Sequence, residues 1–417
     1  MKVLVCGATG FIGRHVTAAL LRAGHTVVRG VRRAGPGEVA MDYRRDTRVG
    51  VWLPRLQGID AVVNTVGTID SGQMEAIHHD APVALFDACA KAGVSQVIQV
   101  SALGAGAAMP VTRFLQTKAG ADRHLMTLPL AWCILRPSLV AGAGGASSRM
   151  FRALASLPVV PLPGDGAQRV QPVAVEDLAD VVAALLAPGA PTLVAVDVVG
   201  PEAVTYREML RAYRAVMGLH EPRWLPVAEP VVAAAVTAVR PFSRGMLSRD
   251  TLTMLEAGST ASPATFEHLL GRPPMPFVRS LDAIPSRTLR LDAVWFWADP
   301  LLRTALAVVW LVTAWVSVFV YPMSASRELL RPVGIEGWLA PVAVWTGTAL
   351  DAAFGVLTLL RPSRLLWLAQ LGLILAYSLI IALFLPQMWA HPFGPLLKNV
   401  PILVVLLLLL ATTERKA

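Results

Sequence analysis

The sequence has few cysteines and few charged side chains. Its 417 residues include three cysteines, Cys6, Cys89 and Cys133, and no two of them form a CxxC pair. This pattern excludes a disulfide framework and a thiolate zinc site. Charged residues make up 16% of the chain and hydrophobic residues 55%, with a mean hydropathy of +0.56. The composition excludes a disordered chain and argues against a purely soluble one, since soluble proteins carry about 25% charged residues.

The scarcity of charge is concentrated at the C-terminal end. Of the 37 basic and 28 acidic side chains, 13 lie between Asp299 and Ala417, and they are separated by long apolar stretches. A helix needs about 20 apolar residues to cross the hydrocarbon core of a bilayer. The sequence therefore predicts a membrane domain over residues 295–417, with transmembrane helices at about 302–321, 338–360, 365–386 and 396–413.

Basic residues predict the orientation of these helices. Arg361 and Arg364 crowd the turn between the second and third helices, and Arg415 and Lys416 follow the fourth. The positive-inside rule places these residues, the N-terminal domain and the C-terminus in the cytoplasm. Membrane-flanking basic residues also account for the net charge of +9, so no nucleic acid partner is expected. Asp351, inside the second helix, is interpreted as part of an interhelical hydrogen-bonded pair or as a functional carboxylate.

A glycine-rich turn stands at the N-terminus. The apolar run Lys2–Cys6 reads as a buried strand, and it is followed by Gly7-Ala8-Thr9-Gly10-Phe11-Ile12-Gly13 and a helical pattern over 14–23. A second strand pattern covers 25–31. In such a unit the first glycine allows the tight turn, the second lets the backbone approach a pyrophosphate, and the third lets helix and strand pack closely. The motif predicts dinucleotide binding at the helix N-terminus, with a tight turn in an empty domain as the alternative.

The end of the second strand predicts which dinucleotide is bound. An acidic residue there would hold the adenosine ribose hydroxyls and repel a 2′-phosphate. The strand instead closes on Arg32 and Arg33, and a guanidinium can bind a phosphate through two hydrogen bonds. NADP(H) is therefore predicted over NAD(H), with a solvated pair of arginines as the alternative. Asp42 is a candidate contact to the adenine.

Further apolar segments complete an α/β fold. Residues 61–67 and 97–101 are predicted to be the fourth and fifth strands, with a helix over 74–92 between them. The fold class is thus a Rossmann-type, doubly wound parallel sheet, with a small substrate lobe at about 140–290, followed by the four-helix membrane bundle.

These motifs resemble a known family. With GATGFIG, the segments at 100–105 (VSALGA), 134–142 (ILRPSLVAG) and 171–180 (QPVAVEDLAD) resemble atypical extended short-chain dehydrogenase/reductases, in particular the branch of the Rossmann-fold accessory subunit of respiratory complex I. This resemblance covers residues 1–290. The segment at 391–399 (HPFGPLLKN) is similar to DoxX-like membrane domains. Together they imply a bacterial reductase fused to an anchor in the inner membrane.

The resemblance implies a set of site residues. Ser101 and Lys118 stand at the positions of the family's catalytic serine and lysine, whereas Phe114 stands where the catalytic tyrosine belongs. A phenyl ring cannot donate a proton, so the family's usual carbonyl chemistry is in doubt. No metal ligand set is expected. The cofactor-binding residues are predicted to be Gly7, Thr9, Gly10, Phe11, Ile12, Gly13, Arg32, Arg33, Asp42, Gly67 and Lys118.

Two functions remain open on the sequence. In the first, the protein is a membrane-anchored NADP(H)-binding oxidoreductase acting on a hydrophobic or membrane-resident acceptor such as a quinone, with a proton from Thr112, Thr117, Ser101, water or the acceptor. In the second, it is a non-catalytic NAD(P)H-binding assembly or sensing module of a membrane complex. Transport through the bundle is a third hypothesis, which rests on Asp351.

Overall fold

The chain forms two compact units in the computed structural model, Met1–Val294 and Trp295–Ala417, and each is described by itself. His391 of the DoxX-like motif and the basic pair Arg415 and Lys416 lie outside the described residues. The structure describes residues 1–69, 71–239, 248–389, 394 and 396–413.

The described strands and helices alternate along the first unit, and helices dominate the second. The strands are β1 (Lys2–Cys6), β2 (Thr26–Val31), β3 (Glu38–Ala40), β4 (Ala61–Asn64), β5 (Gln96–Val100), β6 (Ala131–Pro137), β7 (Val140–Ala141), β8 (Val159–Pro163), β9 (Arg169–Val170), β10 (Val173–Ala174), β11 (Val194–Val198), β12 (Val204–Thr205) and β13 (Arg223–Val227). The α-helices are α1 (Phe11–Arg22), α2 (Val49–Trp52), α3 (Ala81–Ala92), α4 (Arg113–Met126), α5 (Ala146–Ala155), α6 (Val175–Leu185), α7 (Tyr206–Val216), α8 (Glu229–Val239), α9 (Arg249–Glu256), α10 (Ala264–Leu270), α11 (Ser286–Phe319), α12 (Met323–Leu330), α13 (Leu339–Leu360), α14 (Arg364–Phe384) and α15 (Asn399–Thr412).

Seven of the described strands form one parallel sheet in the order β11-β6-β5-β4-β1-β2-β3. The strand order reverses between β1 and β4, and this reversal is the point where doubly wound folds bind ligands outside the carboxyl ends of their strands. The predicted Rossmann-type parallel sheet is therefore confirmed. The helix predicted over 74–92 is also present, but its first part, Ala76–Asp80, is a wider π-helical turn that leads into α3.

Both faces of the sheet are covered by helices. The strands are short apolar runs such as Lys2–Cys6, in which four of five residues are buried, as expected where a parallel sheet is packed on both sides. One face packs against α1, α6 and α10 through residues that include Leu20, Leu178 and Phe266. The other face packs against α3 and α4, including Leu85 and Leu125. This packing fixes the strand ends that carry the candidate site.

A smaller cluster of elements lies within residues 140–294. Strands β8 and β13 pair in parallel, and α5 and α7 pack on them around Leu210 and Tyr213. Helix α7 begins with a capping box, in which Thr205 and Glu208 each satisfy the other's backbone N–H. Arg214 donates hydrogen bonds to the carbonyls of Ala155 and Leu157 and so ties α7 to the end of α5. That this lobe binds substrate stays a prediction.

The second unit contains apolar helices of membrane-spanning length. Among the described residues, α11, α13 and α14 are long and apolar enough to cross a bilayer, and they match the first three predicted spans. Helix α11 starts at Ser286, well before the predicted 302, and contains Pro300. The fourth predicted span corresponds to α15, which has 14 residues and is shorter than the usual crossing length of about 20. Its crossing stays a prediction.

Polar groups inside this unit are mostly paired. The Trp310 indole donates to Gln370 Oε1 at 2.9 Å, and Gln370 Nε2 donates to Thr358 Oγ1 at 2.9 Å. These bonds link α11, α14 and α13 through buried side chains. Asp351 is 7% exposed, and its Oδ1 has no hydrogen-bond partner among the described residues. The role of Asp351, including transport, stays a prediction.

Candidate functional site

The glycine-rich turn after β1 is held by its own backbone. Gly7 adopts φ of +80°, a conformation that side chains rarely allow. The amides of Gly7 and Ala8 donate to the carbonyl of Gly30 at 3.0 and 3.2 Å, and the Gly10 amide donates to the carbonyl of Gly7 at 2.8 Å. Thr9 and Gly10 are exposed at the outer edge of the turn. The turn is therefore fixed while its outer surface stays open.

Helix α1 begins at this turn with a free N-terminus. Gly10 occupies the N-cap position without a side-chain hydrogen bond, and the first helical turn carries no acidic residue. An uncapped helix start presents backbone N–H groups and a partial positive charge, which favour an anion. Gly13 packs so closely that a Cβ there would overlap the Gly7 carbonyl oxygen and stand 2.9 Å from Thr65 Oγ1. The geometry fits a bound pyrophosphate.

Phe11 and Arg14 are covered by a second glycine-rich loop, Gly142–Gly145. Arg14 Nη2 donates to the carbonyl of Ala143 at 2.6 Å, and its guanidinium lies over the Phe11 ring at 5.5 Å. A Cβ at Gly145 would stand 2.8 Å from the same ring. Ile12 is half-buried and packs on the hydrophobic core. The predicted residues Phe11 and Ile12 thus both anchor the start of α1, and their contact with the cofactor stays a prediction.

The end of β2 carries exposed basic residues. Arg32 and Arg33 follow the strand and are exposed, whereas Arg29 is paired with Glu38 at 2.9 Å. Asp42 Oδ1 accepts a hydrogen bond from the Arg44 amide at 3.1 Å. The Asp42 carboxylate therefore stabilises its own turn, and its contact to an adenine stays a prediction.

Lys118 is buried at the carboxyl ends of two neighbouring strands. Its ammonium group donates to the carbonyls of Val66 and Val100 at 3.3 and 3.0 Å, and its side chain is 4% exposed. The Nζ atom lies 3.7 Å from the position that a Cβ would take at Gly67, which places this predicted residue beside it. Burial lowers the pKa of Lys118 to about 8, against the weaker opposing charge of Asp122. The predicted contact of Lys118 with a ribose hydroxyl of the dinucleotide stays a prediction.

Ser101 follows β5 and donates a hydrogen bond to a residue that sequence reasoning missed. The acceptor is Asp122 Oδ2, at 2.6 Å. Asp122 lies one helical turn after Lys118 on α4, so the spacing of four residues was the available signal. Arg136, at the end of β6, lies 3.8 Å from the same carboxylate oxygen. The structure thus brings Ser101 and Lys118 into one buried cluster with two further charged residues.

Phe114 faces a second residue that the sequence did not single out. The His78 ring meets the Phe114 ring edge to face, with centroids 5.2 Å apart. His78 Nε2 accepts a hydrogen bond from the Thr68 amide at 2.9 Å, and Nδ1 lies 3.3 Å from Thr117 Oγ1. Nδ1 therefore carries the ring proton. His78 stands in the π-helical turn, a feature often found at functional sites.

One surface cluster offers potential metal ligands away from these residues. Among the described residues, Glu75, His79 and Asp80 bring three ligand atoms within 4.8 Å of one another. All three are at least partly exposed, and the contacts of His79 Nδ1 with Asp80 at 3.0 Å and with Glu75 at 3.8 Å account for the arrangement. The expectation that the protein holds no metal stays a prediction.

The loops after β1, β4 and β5 meet at the strand-order reversal, as in nucleotide-binding folds. The sequence model of the NAD(P)H-binding family matches residues 7–188, and that of the DoxX-like family matches residues 307–407. The chain therefore joins an NAD(P)-binding, oxidoreductase-like domain of the short-chain dehydrogenase and epimerase type to a C-terminal DoxX-like domain. The family assignment made from the motifs is confirmed, and the DoxX-like domain with its long apolar helices marks a membrane protein.

Curated relatives match the N-terminal part of the chain. The chain is 28% identical over 261 residues to subunit 9 of the NADH dehydrogenase [ubiquinone] 1 alpha subcomplex of Arabidopsis thaliana, covering 57% of this chain and 63% of that protein. It is 29% identical over 255 residues to a ceramide reductase of Caulobacter vibrioides, covering 58% and 78%. The chain thus spans less than two thirds of the plant relative's length.

Solved structures share the fold of this part. The NADPH-dependent quinone oxidoreductase QOR2 of Escherichia coli, complexed with NADPH, is 18% identical with a TM-score of 0.55, covering 68% of this chain and 99% of that one. MoeE5, bound to UDP-glucuronic acid and NAD, is 22% identical with a TM-score of 0.54, covering 70% and 99%. Identities this low establish the fold alone.

Proposed function

We propose that the protein is a membrane-anchored NADP(H)-dependent oxidoreductase whose acceptor is hydrophobic and resident in the membrane, a quinone or a lipid-like carbonyl compound. The observation that carries this proposal is Lys118, buried and hydrogen-bonded to the carbonyls of Val66 and Val100, in a domain whose glycine turn leads into an uncapped helix start. The same chain provides helices of membrane-spanning length, which supports an acceptor dissolved in the bilayer.

Different residues of the chain have separate roles at this site. The amides around Gly10 and Gly13 would hold the pyrophosphate, and Lys118 would donate to the nicotinamide ribose. When bound, the cofactor supplies a hydride. Ser101 would contact the acceptor oxygen. Phe114 has no proton to donate. The acceptor is therefore expected to be one whose reduction does not require a proton from a tyrosine.

One relative supports the class of acceptor. It is called a ceramide reductase and shares 29% identity with this chain. A ceramide is a membrane-soluble molecule. The likeness of this relative to the chain supports, for this protein, an acceptor that partitions into lipid.

The test is NADPH oxidation by the purified full chain in detergent. With a short-chain ubiquinone analogue or a membrane lipid extract as acceptor, we expect absorbance of the reduced nicotinamide to fall, and Lys118→Ala to abolish the reaction. Tight NADPH binding without turnover across a broad panel of quinones, ketones and lipid extracts would contradict the proposal.

The preference for NADP(H) rests on the basic end of β2. Arg32 and Arg33 are exposed, so each is free to approach a 2′-phosphate. We expect Arg32→Ser and Arg33→Ser together to weaken NADPH binding by about 10- to 100-fold, at 1.4 kcal/mol per tenfold, and to leave NADH binding nearly unchanged. Isothermal titration calorimetry with both coenzymes measures this split. Arg123→Ser, on the exposed side of α4, is the matched control for a lost charge, and an equal loss for both coenzymes would contradict the assignment.

A second candidate function is a non-catalytic NAD(P)H-binding assembly or sensing module. It is favoured by Phe114 at the tyrosine position and by the 28% identity to a plant NADH dehydrogenase subunit. Under this alternative, Lys118→Ala weakens coenzyme binding, but Phe114→Tyr confers no turnover. Turnover by the unaltered chain, or its appearance in Phe114→Tyr, would reject this alternative.

We also propose the bacterial inner membrane as the location, with the N-terminal domain and the C-terminus in the cytoplasm. Arg361, which follows α13, and Arg364, the first residue of α14, support this orientation through the positive-inside rule. A cytoplasmic N-terminal domain has direct access to soluble NADPH.

A further inference from the structure

Ser101 and Asp122 form a buried hydrogen-bonded pair that the proposed function does not yet explain. Ser101 is 5% exposed and Asp122 is 2% exposed. The Ser101 hydroxyl donates to Asp122 Oδ2 at 2.6 Å, which is short for a hydrogen bond between two oxygen atoms. Ser101 itself is fixed by the strand, because its amide donates to the Leu135 carbonyl at 2.7 Å. The pair is therefore pre-organised.

The other oxygen of Asp122 lacks a close partner. Oδ1 is buried and makes no hydrogen bond of normal geometry with any residue in the described part of the chain, and the Gln99 amide is the neutral polar group nearby. An unpaired, buried carboxylate oxygen is costly, and a proton on the carboxyl group relieves that cost. Burial raises the pKa of Asp122, while the Ser101 hydrogen bond, the charges of Lys118 and Arg136, and the Gln99 amide lower it. A carboxyl group under such opposed influences can exchange a proton during a reaction cycle.

The neighbouring polar groups are poor proton donors by comparison. Thr117 donates its hydroxyl proton to the Phe114 carbonyl at 3.0 Å, and a carbonyl has no proton with which to replace it. His78 is neutral, since its Nε2 accepts from the Thr68 amide and burial lowers its pKa to about 2. Thr112 accepts from the Leu115 amide as the N-cap of α4. Ser101, with a carboxyl group directly behind it, is the best-placed proton carrier at this strand edge.

We propose that Ser101 and Asp122 form a proton relay that takes the place of the tyrosine missing at position 114. The proposal deepens the oxidoreductase function and rests on it. In reduction of a carbonyl or quinone, reduced nicotinamide is the hydride donor. The O–H bond of Ser101 breaks as an O–H bond forms at the acceptor oxygen. The Asp122 carboxyl group then turns its protonated oxygen toward Ser101, and Ser101 Oγ takes that proton as the O–H bond of Asp122 breaks. One hydride and one proton thus yield the alcohol or hydroquinone, and water reprotonates Asp122 before the next cycle.

The surrounding charges suit this relay. Arg136 Nε lies 3.8 Å from Asp122 Oδ2 and has no hydrogen bond among the described residues, so it faces the carboxylate that remains after transfer. A Cβ at Gly106 would overlap the Arg136 guanidinium, which shows that the loop after β5 closes over it. Asp122 acts through Ser101 and is a positioning residue. The relay ends at a hydroxyl, so the acceptor must present an oxygen to Ser101.

The first test compares variants of the full chain in detergent. For Asp122→Asn and Ser101→Ala we expect kcat for NADPH-dependent quinone reduction to fall at least about 100-fold, with NADPH affinity unchanged. Quinone reduction by the unaltered protein should slow as the pH rises through the pKa of Asp122. This decrease in rate with pH should be absent from Asp122→Asn. Asp122→Glu should restore part of the rate. Asp87→Asn, which removes a carboxylate paired with His124 on another helix, is the matched control and should keep both rate and pH profile.

The second test needs no turnover. In protein labelled with 13C at the aspartate carboxyls, we expect one signal, absent from Asp122→Asn, to titrate above the ordinary range of aspartate and to move higher in Ser101→Ala, since the Ser101 hydrogen bond lowers this pKa. Full activity and an unaltered pH profile in Asp122→Asn would overturn the relay. A carboxyl signal of Asp122 that titrates in the ordinary range of aspartate, and whose pKa does not change in Ser101→Ala, would also overturn the relay. If no acceptor supports turnover, the proposed function fails, and the titration still decides whether the pair exists.

Discussion

Replacing Gly13 by alanine is expected to weaken NADPH binding by about 10- to 100-fold and to destabilise the N-terminal unit by about 1–3 kcal/mol. An added Cβ would overlap the carbonyl oxygen of Gly7 and stand 2.7 Å from its carbonyl carbon. These are backbone atoms, so they cannot swing away as a flexible side chain would. The turn must open, and the amides that would face the pyrophosphate then lose their alignment. Isothermal titration calorimetry and thermal unfolding of the full chain in detergent measure the two effects.

A matched control for Gly13→Ala is available in the same unit. Gly50 lies in α2, is exposed, and has no heavy atom within 4 Å of the position that a Cβ would take. Gly50→Ala should leave NADPH affinity unchanged and should not lower stability, because alanine is the better helix former by about 1 kcal/mol. Unchanged affinity in Gly13→Ala would show that the turn does not hold the dinucleotide.

Features encoded by neighbouring residues were predicted from the sequence. The strand Lys2–Cys6, the glycine turn and α1 are contiguous, so one motif determines the turn, the helix and the candidate anion site together. The boundaries were less accurate, since α1 begins at Phe11 and the pattern placed the helix from Arg14. Membrane helices were predictable because a lack of charge over about 20 residues has one dominant physical meaning. Helix α15 is the difficult case, because Lys398 interrupts its apolar stretch at the N-terminal end.

Features that depend on packing between distant segments were not predicted. The Ser101–Asp122 bond joins residues 21 apart in sequence, and it forms because α4 packs beside β5. Likewise, Arg136 reaches the same carboxylate from β6. His78 meets Phe114 because the helix before α3 widens into a π-helical turn, which no periodicity in the sequence indicates. The position of Lys118 was assigned by resemblance, whereas its burial and its two carbonyl partners required the structure.

The largest pH effect is expected from Lys118→Met. Burial lowers the pKa of Lys118 from 10.5 to about 8, so between these values the unfolded chain holds a proton that the folded chain has lost. The free energy of unfolding therefore rises with pH across this window, by about 3 kcal/mol for a shift of this size. In Lys118→Met this rise should vanish. Denaturant unfolding of the full chain in detergent, at pH values from 7 to 11, measures the difference between the two proteins.

The same substitution separates the effect of Lys118 on protein stability from its effect on NADPH binding. Protonated Lys118 donates to Val66 and Val100 and is placed to donate to a ribose hydroxyl, so NADPH binding should weaken as the pH rises above about 8 and should be weak at every pH in Lys118→Met. Lys91→Met, at an exposed position on α3, is the control and should follow the unaltered protein in both assays. If Lys118→Met kept both the pH-dependent stability and the NADPH affinity, the lysine would be neither buried as described nor part of the cofactor site. If Lys118→Met lost NADPH affinity but its free energy of unfolding rose with pH as in the unaltered protein, the lysine would belong to the cofactor site but be exposed to water. The order of the strand ends around Lys118 would then have another cause.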